Sequence, residues 1–218
     1  MDETELPTSP EEHIYIASEL HRHAVKWTGF APRFVGSFEK GVDYIGDLGS
    51  LESQLAVHAA IARHYGPYKL SLHSGSDKFS IYPQFIRSTQ GFAHLKTAGT
   101  SYLEALRTIA TVDPDLFKEI YIFARQHFEA DKKSYHISAR LDAAPQPAEI
   151  HDWPALLGQF DARQILHVTF GSVLTEKMSN GSWCFYDRVM GQLQANRERY
   201  YDNLVAHFRR HLAPFTSQ

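Results

Sequence analysis

Two short segments of the chain combine histidine and lysine with hydroxyl and glycine residues, which together could hold a polar ligand. The first is LSLHSGSDKF from Leu70 to Phe79, and the second is HLKTAGT from His94 to Thr100. Apolar and polar residues alternate in each before a glycine-bearing turn, as in a short strand with one apolar face. The alternation predicts His73 on the polar face of the first strand, and His94 and Lys96 on that of the second.

Histidines at strand ends, together with a carboxylate, could share one divalent metal ion. His73 and His94 end two predicted strands, and Glu39 stands at the exit of a third. Imidazole nitrogens and carboxylate oxygens suit zinc, manganese, cobalt or nickel. The alternative is that each histidine only hydrogen-bonds to its neighbours, and no HExxH or cysteine-pair spacing supports a metal. The residues alone leave both interpretations open.

The lysines of these segments suggest an anionic ligand. Lys78 and Lys96 lie among serine, threonine and glycine, an environment that suits a carboxylate or phosphate group. Either lysine could also act as a base if it is desolvated. A surface lysine paired with Asp77 or Glu104 is the alternative. We favour a functional role for Lys96, which shares a face with His94, and leave Lys78 open.

The composition limits the classes of partner. With 218 residues and a formal charge of −3, the chain is long enough for one domain and gives no reason to expect nucleic acid or an anionic membrane. No apolar run reaches the ~18 residues that a membrane-spanning helix needs. The single Cys184 excludes an internal disulfide and suits a reducing compartment.

Hydrophobic periodicity and capping signals predict alternating helices and strands. Ser9, Pro10 and Glu12 form a capping box that starts the first helix, and Asp113 caps a helix that begins with Pro114. The other predicted helices are 51–65, 101–110, 153–160 and 184–212. The predicted strands are 33–38, 68–73, 93–97, 135–139 and 165–170.

Strands that alternate with helices predict a parallel sheet, and the polar face of each strand favours a barrel over a flat sheet. The same alternation points His136 and His167 inward, one step deeper in their strands than His73 and His94. For these two we favour a hydrogen-bonded histidine of the barrel core over a functional role. The predicted fold class is therefore α/β: a partial (β/α)8 TIM-like barrel of about five parallel βα units. Residues 1–218 would form a single domain, the carboxyl-terminal portion of such a barrel. Its open strand edges predict association into homo-oligomers.

Five strings resemble the D-tagaturonate epimerase family, also described as tagaturonate/fructuronate epimerases. They are HSGSDKFSIYP from His73, KTAGTSYLEALR from Lys96, APRFVGSFEKGVDYIGD from Ala31, ADKKSYHISA from Ala130 and LHVTFGSVL from Leu166. The resemblance covers nearly the whole chain. Family members are considerably longer, so we expect the chain to be the carboxyl-terminal part of a longer enzyme.

The resemblance implies a cytoplasmic, metal-dependent isomerase of hexuronate catabolism that interconverts D-tagaturonate and D-fructuronate, both small sugar acids. The inverted carbon is β to the ketone, so enolisation cannot invert it, whereas retro-aldol cleavage and re-addition can. A transient oxidation would need a bound nicotinamide, and the sequence has no GxGxxG. The alternatives are a metal-dependent isomerase or epimerase of another ketose, and an inactive half-barrel fragment that needs a partner.

Within the resemblance, each candidate residue receives a role. His73, His94 and Glu39 would bind the metal, and Lys96 the substrate carboxylate or ketone oxygen. The remaining expected catalytic groups are Asp77, Lys78 and Glu3, with Asp2 as an alternative to Glu3. The expected substrate-binding hydroxyls are those of Ser74, Ser76, Thr97 and Thr100.

Overall fold

The structure, a computed structural model, describes residues 6–97 and 99–216. It is an α/β protein in which helices dominate. The strands are β1 (Gly29–Phe30), β2 (Lys69–Leu72) and β3 (Ala93–Leu95). The helices are α1 (Pro10–Arg22), α2 (Leu48–Tyr65), α3 (Tyr82–Thr89), α4 (Thr100–Val112), α5 (Pro114–Asp131), α6 (Trp153–Leu156), α7 (Phe160–Val168), α8 (Phe170–Thr175), α9 (Tyr186–Ala195) and α10 (Arg197–Thr216).

The chain divides into two compact units, which we describe separately. The first contains the described residues up to Phe38, residues Asp43–Thr97 and those from Arg210 onward. The second contains Glu39–Val42 and the described residues from 99 to 209. The assignment of 1–218 to a single domain stays a prediction.

The first unit is organised around a parallel sheet with the strand order β1-β2-β3. Leu70 and Leu72 of β2 are buried against the apolar sides of the surrounding helices, with Leu55 of α2 and Phe85 of α3 in the same core. The intervening residues of β2 point to the opposite side of the sheet because side chains alternate along a strand. One face of the sheet is therefore closed by the core, and the other is left to carry polar groups.

Capping explains where the helices of the first unit begin. The Ser9 hydroxyl accepts a hydrogen bond from the Glu12 amide, and the Glu12 carboxylate accepts one from the Ser9 amide, as the capping box predicts. Asp47 caps α2 through the Ser50 amide, which lies 2.6 Å from its carboxylate oxygen. Pro83 lies in the first turn of α3, where its missing N–H costs no hydrogen bond.

The second unit is helical in its described residues. Asp113 accepts a hydrogen bond from the Leu116 amide at 3.0 Å, and Pro114 begins α5, as predicted. The apolar faces of α4, α5 and α7 meet in a core that includes Leu106, Phe117 and Ile165. These burials follow the helical spacing of apolar residues along each element.

The predicted barrel of about five βα units is wrong. Within the described residues the sheet has three strands, and two of the predicted strands are irregular segments. Backbone donors there bond to side chains instead of to a neighbouring strand. The Val35 amide donates to Gln54 Oε1, the Ser138 amide to Glu39 Oε2 and the Ala139 amide to Gln164 Oε1.

The predicted strand 165–170 is also wrong, because these residues lie in α7 and at the start of α8. His167 and Thr169 therefore do not share the inner face of a strand. The predicted helix 184–212 is two helices, α9 and α10, separated at Asn196. The Asn196 side chain donates to the Gln192 carbonyl oxygen at 2.9 Å, a local bond that competes with continued helix.

None of the helices in residues 6–97 and 99–216 is both long and apolar enough to cross a membrane.

Candidate active-site cleft

A cleft of about 620 Å³ lies on the polar face of the sheet in the first unit. Its volume falls in the range of small-molecule sites, roughly 300–1,000 Å³. The side chains in its wall that could contact a polar ligand are Trp27, Lys69, Ser71, His73, Phe92 and His94. The cleft thus gathers cationic, hydroxyl, imidazole and aromatic groups on one surface.

Strand alternation places these groups. Lys69 and Ser71 lie on β2 and His73 directly after it, so all three project from the same face, while Leu70 and Leu72 are in the core. Both predicted histidines, His73 and His94, line this one cleft. The predicted alternation of the two segments is therefore seen in the structure.

His94 has a defined hydrogen-bond partner. Its Nδ1 lies 2.7 Å from the hydroxyl oxygen of Ser71, on the neighbouring strand. The Ser71 side chain is buried, whereas His94 is exposed along the cleft. A buried hydroxyl thus holds one ring nitrogen of an accessible imidazole.

Lys69 is a cleft residue that the sequence interpretation missed. It begins β2, is exposed, and holds its ammonium 5.9 Å from the centre of the Phe92 ring. The sequence could have predicted it, since Lys69 falls on the same side of the alternating strand as Ser71 and His73. Trp27, which lies just before β1, was missed as well.

The turn after β2 is built from buried polar residues that do not line the cleft. The Asp77 backbone has φ +61°, and its amide donates to His211 Nε2 at 3.2 Å. Lys78 is fully buried and donates from Nζ to the Ser76 carbonyl oxygen at 3.0 Å. The Tyr82 hydroxyl donates to the Gly75 carbonyl oxygen, and burial raises the pKa of Tyr82. These contacts give Asp77 and Lys78 a role in the turn, and their catalytic assignment stays a prediction.

The remaining predicted residues of the two segments are dispersed. Lys96 is exposed just after β3, and its amide donates to the Leu72 carbonyl oxygen at 3.1 Å. Ser74, Ser76 and Thr97 are half-buried. Thr100 is buried in the second unit. Its hydroxyl oxygen lies 2.9 Å from His207 Nε2. Glu3 and Asp2 lie outside the described residues.

Glu39 belongs to the second unit and is buried there. One carboxylate oxygen, Oε2, accepts hydrogen bonds from the Ser138 amide at 2.7 Å, the Ser138 hydroxyl at 2.9 Å and Gln164 Nε2 at 2.9 Å. These bonds hold the irregular segment that had been predicted as a strand. They give Glu39 a structural function, and its assignment as a metal ligand stays a prediction.

His167 is closely surrounded in the second unit. A Cβ added at Gly99 would lie 3.0 Å from His167 Cε1, and one added at Gly41 would lie 3.5 Å from His167 Cβ. Both glycines have positive φ, +75° at Gly41 and +93° at Gly99. His136, by contrast, is exposed on an irregular segment. Neither histidine lines the cleft of the first unit.

The donor set of the cleft fits a divalent metal in its chemistry. His73 and His94 both line it, and imidazole nitrogen is a donor that zinc, manganese, cobalt and nickel accept. With Nδ1 of His94 bonded to Ser71, Nε2 is the ring nitrogen left for a ligand. The two histidines, and not Glu39, are the metal-ligand candidates that the first unit brings to one surface.

Comparison with known proteins gives a consistent family assignment. The sequence profile of the tagaturonate epimerase family, UxaE, matches residues 1–215. A tagaturonate/fructuronate epimerase from Thermotoga maritima is 48% identical over 214 residues, which are 97% of this chain and 43% of that protein. The chain thus spans less than half the length of this curated relative.

Solved structures agree with the sequence match. The native crystal structure of fructuronate-tagaturonate epimerase UxaE from Cohnella laeviribosi superposes with a TM-score of 0.96 at 43% identity, covering 99% of this chain and 44% of that one. A crystal structure of the same enzyme with two glycerols gives a TM-score of 0.96 at 42% identity, covering 100% and 45%. The fold seen here is therefore the fold of the matching part of those enzymes, and the chain belongs to the tagaturonate epimerase family.

Proposed function

We propose that this chain carries a substrate and metal site of an epimerase that interconverts D-tagaturonate and D-fructuronate. The observation that carries the proposal is the polar cleft on the sheet, whose histidines and lysine lie in a chain that matches the family over residues 1–215. The chain spans 43% of the Thermotoga maritima relative, so the activity of the complete enzyme is part of the proposal.

The cleft suits a sugar acid. The exposed ammonium of Lys69 can pair with a carboxylate, and the hydroxyl groups of a sugar can bond to imidazole nitrogens. The Trp27 and Phe92 side chains offer apolar surfaces for the C–H face of a sugar chain. A carbohydrate with one negative charge therefore matches the wall of the cleft better than an apolar ligand does.

A divalent metal is part of the proposal. His73 and His94 would hold it, and Glu39 stays a predicted third ligand. When bound, such an ion supplies an electrophile for the ketone oxygen of the substrate. The residues of the chain would position the rest of the molecule, with Lys96 on its carboxylate or ketone oxygen.

The proposed reaction inverts the hydroxyl-bearing carbon β to the ketone by retro-aldol cleavage and re-addition. A base removes the proton of that hydroxyl, its C–O bond becomes a carbonyl, and the adjoining C–C bond breaks with its electron pair moving toward the ketone. The aldehyde turns to present its other face, and the C–C bond forms again as the new alkoxide regains the proton. This route needs no redox cofactor because none of its steps is a net oxidation or reduction of the substrate.

A cytoplasmic location is part of this proposal. The free Cys184 of the chain is half-buried, which agrees with a reducing compartment. The ligand would be a small, diffusible sugar acid, since the cleft has no feature that calls for a polymer.

The test measures metal content, uronate binding and epimerisation for the chain and its His73→Ala and His94→Ala variants. We expect both variants to lose bound metal and turnover, while His64→Ala, an exposed histidine of α2, keeps both. Neutral ketoses measured in parallel should bind at least about tenfold more weakly, because they lack the carboxylate. Equal use of neutral ketoses would contradict the assignment of the substrate, and retained metal in both variants would contradict the site.

A further inference from the structure

We propose that Ser71 is the positioning residue of His94 and holds the imidazole so that Nε2 is presented to the ligand in the cleft. The inference deepens the proposed function and rests on it for the identity of that ligand as a divalent metal. Its structural part, the orientation of the ring by a single hydroxyl, stands on contacts within the first unit.

The strand register places the two side chains opposite each other. Ser71 of β2 and His94 of β3 are paired residues in the parallel ladder. Neighbouring strands lie about 4.8 Å apart, and paired residues project from the same face of the sheet. A short hydroxyl side chain is therefore the right length to reach the near ring nitrogen, and the observed distance from Oγ to Nδ1 is 2.7 Å.

Burial makes the contact specific. Ser71 is 5% exposed, and among the described residues the hydrogen-bond partner of its hydroxyl is His94 alone. The imidazole of His94 has no other hydrogen-bond partner among those residues, and it is accessible along the cleft. A buried hydroxyl that loses this bond would be left unsatisfied, which favours one orientation of the ring.

The direction of this hydrogen bond decides which ring nitrogen can bind a metal. A neutral imidazole carries one proton, and the nitrogen that ligates must be the one without it. If His94 donates Nδ1–H to Ser71 Oγ, the lone pair is on Nε2. This is the arrangement found where a second hydrogen bond orients a metal-binding histidine.

The test uses the whole chain with Zn²⁺ as the probe and compares four variants. His94→Ala removes the ring, Ser71→Ala removes the hydroxyl and Ser71→Thr keeps it. Ser53→Ala removes an exposed hydroxyl on α2, which donates to the Gly49 carbonyl oxygen instead. Circular dichroism checks that each variant is folded.

Chelator competition should show Zn²⁺ affinity about 10- to 100-fold weaker for Ser71→Ala and near the parent value for Ser71→Thr and Ser53→Ala. In the metal-free chain, ¹⁵N shifts should show the Nε2-unprotonated tautomer of His94 in the parent and a mixture in Ser71→Ala. Unchanged Zn²⁺ affinity in Ser71→Ala, with loss in His94→Ala, would overturn the inference and leave the proposed function intact. Retained affinity in His94→Ala would instead overturn the metal site, and an unchanged tautomer in Ser71→Ala would overturn the positioning role itself.

Discussion

We expect the charge of Lys69 to decide which sugar the proposed cleft prefers. Its ammonium lies near the Phe92 ring and is accessible from the cleft. Lys69→Met keeps the length of the side chain but removes its charge. We expect the dissociation constant for a uronate to rise about tenfold, because a charge-assisted hydrogen bond to the carboxylate is lost. Titration calorimetry with D-tagaturonate and a neutral ketose checks this expectation.

Lys96→Met is the matched comparison, since Lys96 is also exposed and follows the neighbouring strand. If Lys69 holds the carboxylate and Lys96 the ketone oxygen, only Lys69→Met should abolish the preference for the acid over the neutral ketose. A preference that persists in Lys69→Met would exclude it as the carboxylate partner. Lost turnover with retained metal in Lys96→Met would support the role predicted for that lysine.

The sequence predicted part of this site because strand parity is a local property. His73 and His94 could be placed on one surface from alternation alone. Trp27 could not, because the strand that follows it, β1, has two residues and leaves no periodic signal. Asp77 and Lys78 lie in a turn, where spacing does not predict direction, and the structure buries both.

At the scale of elements, a buried hydrogen-bond relay joins α1, α2 and the residue before β2 in the first unit. The Tyr68 hydroxyl lies 2.7 Å from His13 Nε2, His13 Nδ1 lies 2.9 Å from His58 Nδ1, and His58 Nε2 lies 3.2 Å from the Thr8 carbonyl oxygen. A carbonyl only accepts, so His58 donates from Nε2 and accepts at Nδ1. His13 then donates from Nδ1 and accepts from Tyr68. Both histidines are neutral in this arrangement, and protonating both would place a hydrogen on each of the two facing Nδ1 atoms and break the bond between them.

The relay predicts a loss of stability in mild acid. Burial, together with the neighbouring His58, lowers the pKa of His13 from its ordinary 6.5 to about 4, and burial also lowers the pKa of His58. Between pH 6.5 and about pH 4 the unfolded chain binds a proton that the folded chain does not bind. The free energy of unfolding therefore falls as the pH drops below 6.5. His13 alone accounts for up to about 3 kcal/mol by pH 4.

Urea unfolding at several pH values between 7.5 and 4.5 measures this slope. His58→Gln should flatten it, whereas His64→Gln, at an exposed position of the same helix, should leave it unchanged. Tyr68→Phe removes the first donor of the relay without adding charge and serves as a second variant. Equal slopes in the parent and in His58→Gln would show that other groups cause the acid sensitivity.

Residues 165–170 show why the number of strands was predicted wrongly. Leu166, Val168 and Phe170 alternate with polar residues, and β-branched and aromatic side chains favour a strand. The same segment also continues a helical face, because Ala162, Ile165 and Thr169 are buried at spacings of three and four. A short apolar run fits both periods, and only the core of the second unit decides between them.

At the scale of the whole molecule, the sheet matters because its outer strands carry backbone N–H and C=O groups that no described neighbouring strand pairs. In the described residues β1 and β3 are its outer strands, two and three residues long, and each presents one unpaired edge. Unpaired edges invite pairing with another chain. We expect this chain to form dimers or larger species when light scattering is measured at micromolar concentration.

Short edges limit this association, so it should depend on concentration and weaken on dilution. A proline at position 94 or 71 would disturb the site and is unsuitable as a control. Phe92→Lys places a charge beside β3 without removing a backbone donor, and because Phe92 also lines the cleft, this variant is compared by light scattering alone. A monomer at all concentrations in the parent would argue against edge pairing.

The contact between His167 and Gly99 makes these two residues dependent on each other during sequence divergence. A side chain at residue 99 would meet the imidazole ring, whereas one at residue 41 would make only an ordinary contact with it. The positive φ of both glycines would in addition strain any L-residue. Loss of Gly99 thus faces two separate barriers, one steric and one in the backbone, and a smaller residue at position 167 removes only the first. A substitution of His167 therefore has to precede one of Gly99, which constrains the order of substitutions in this part of the chain.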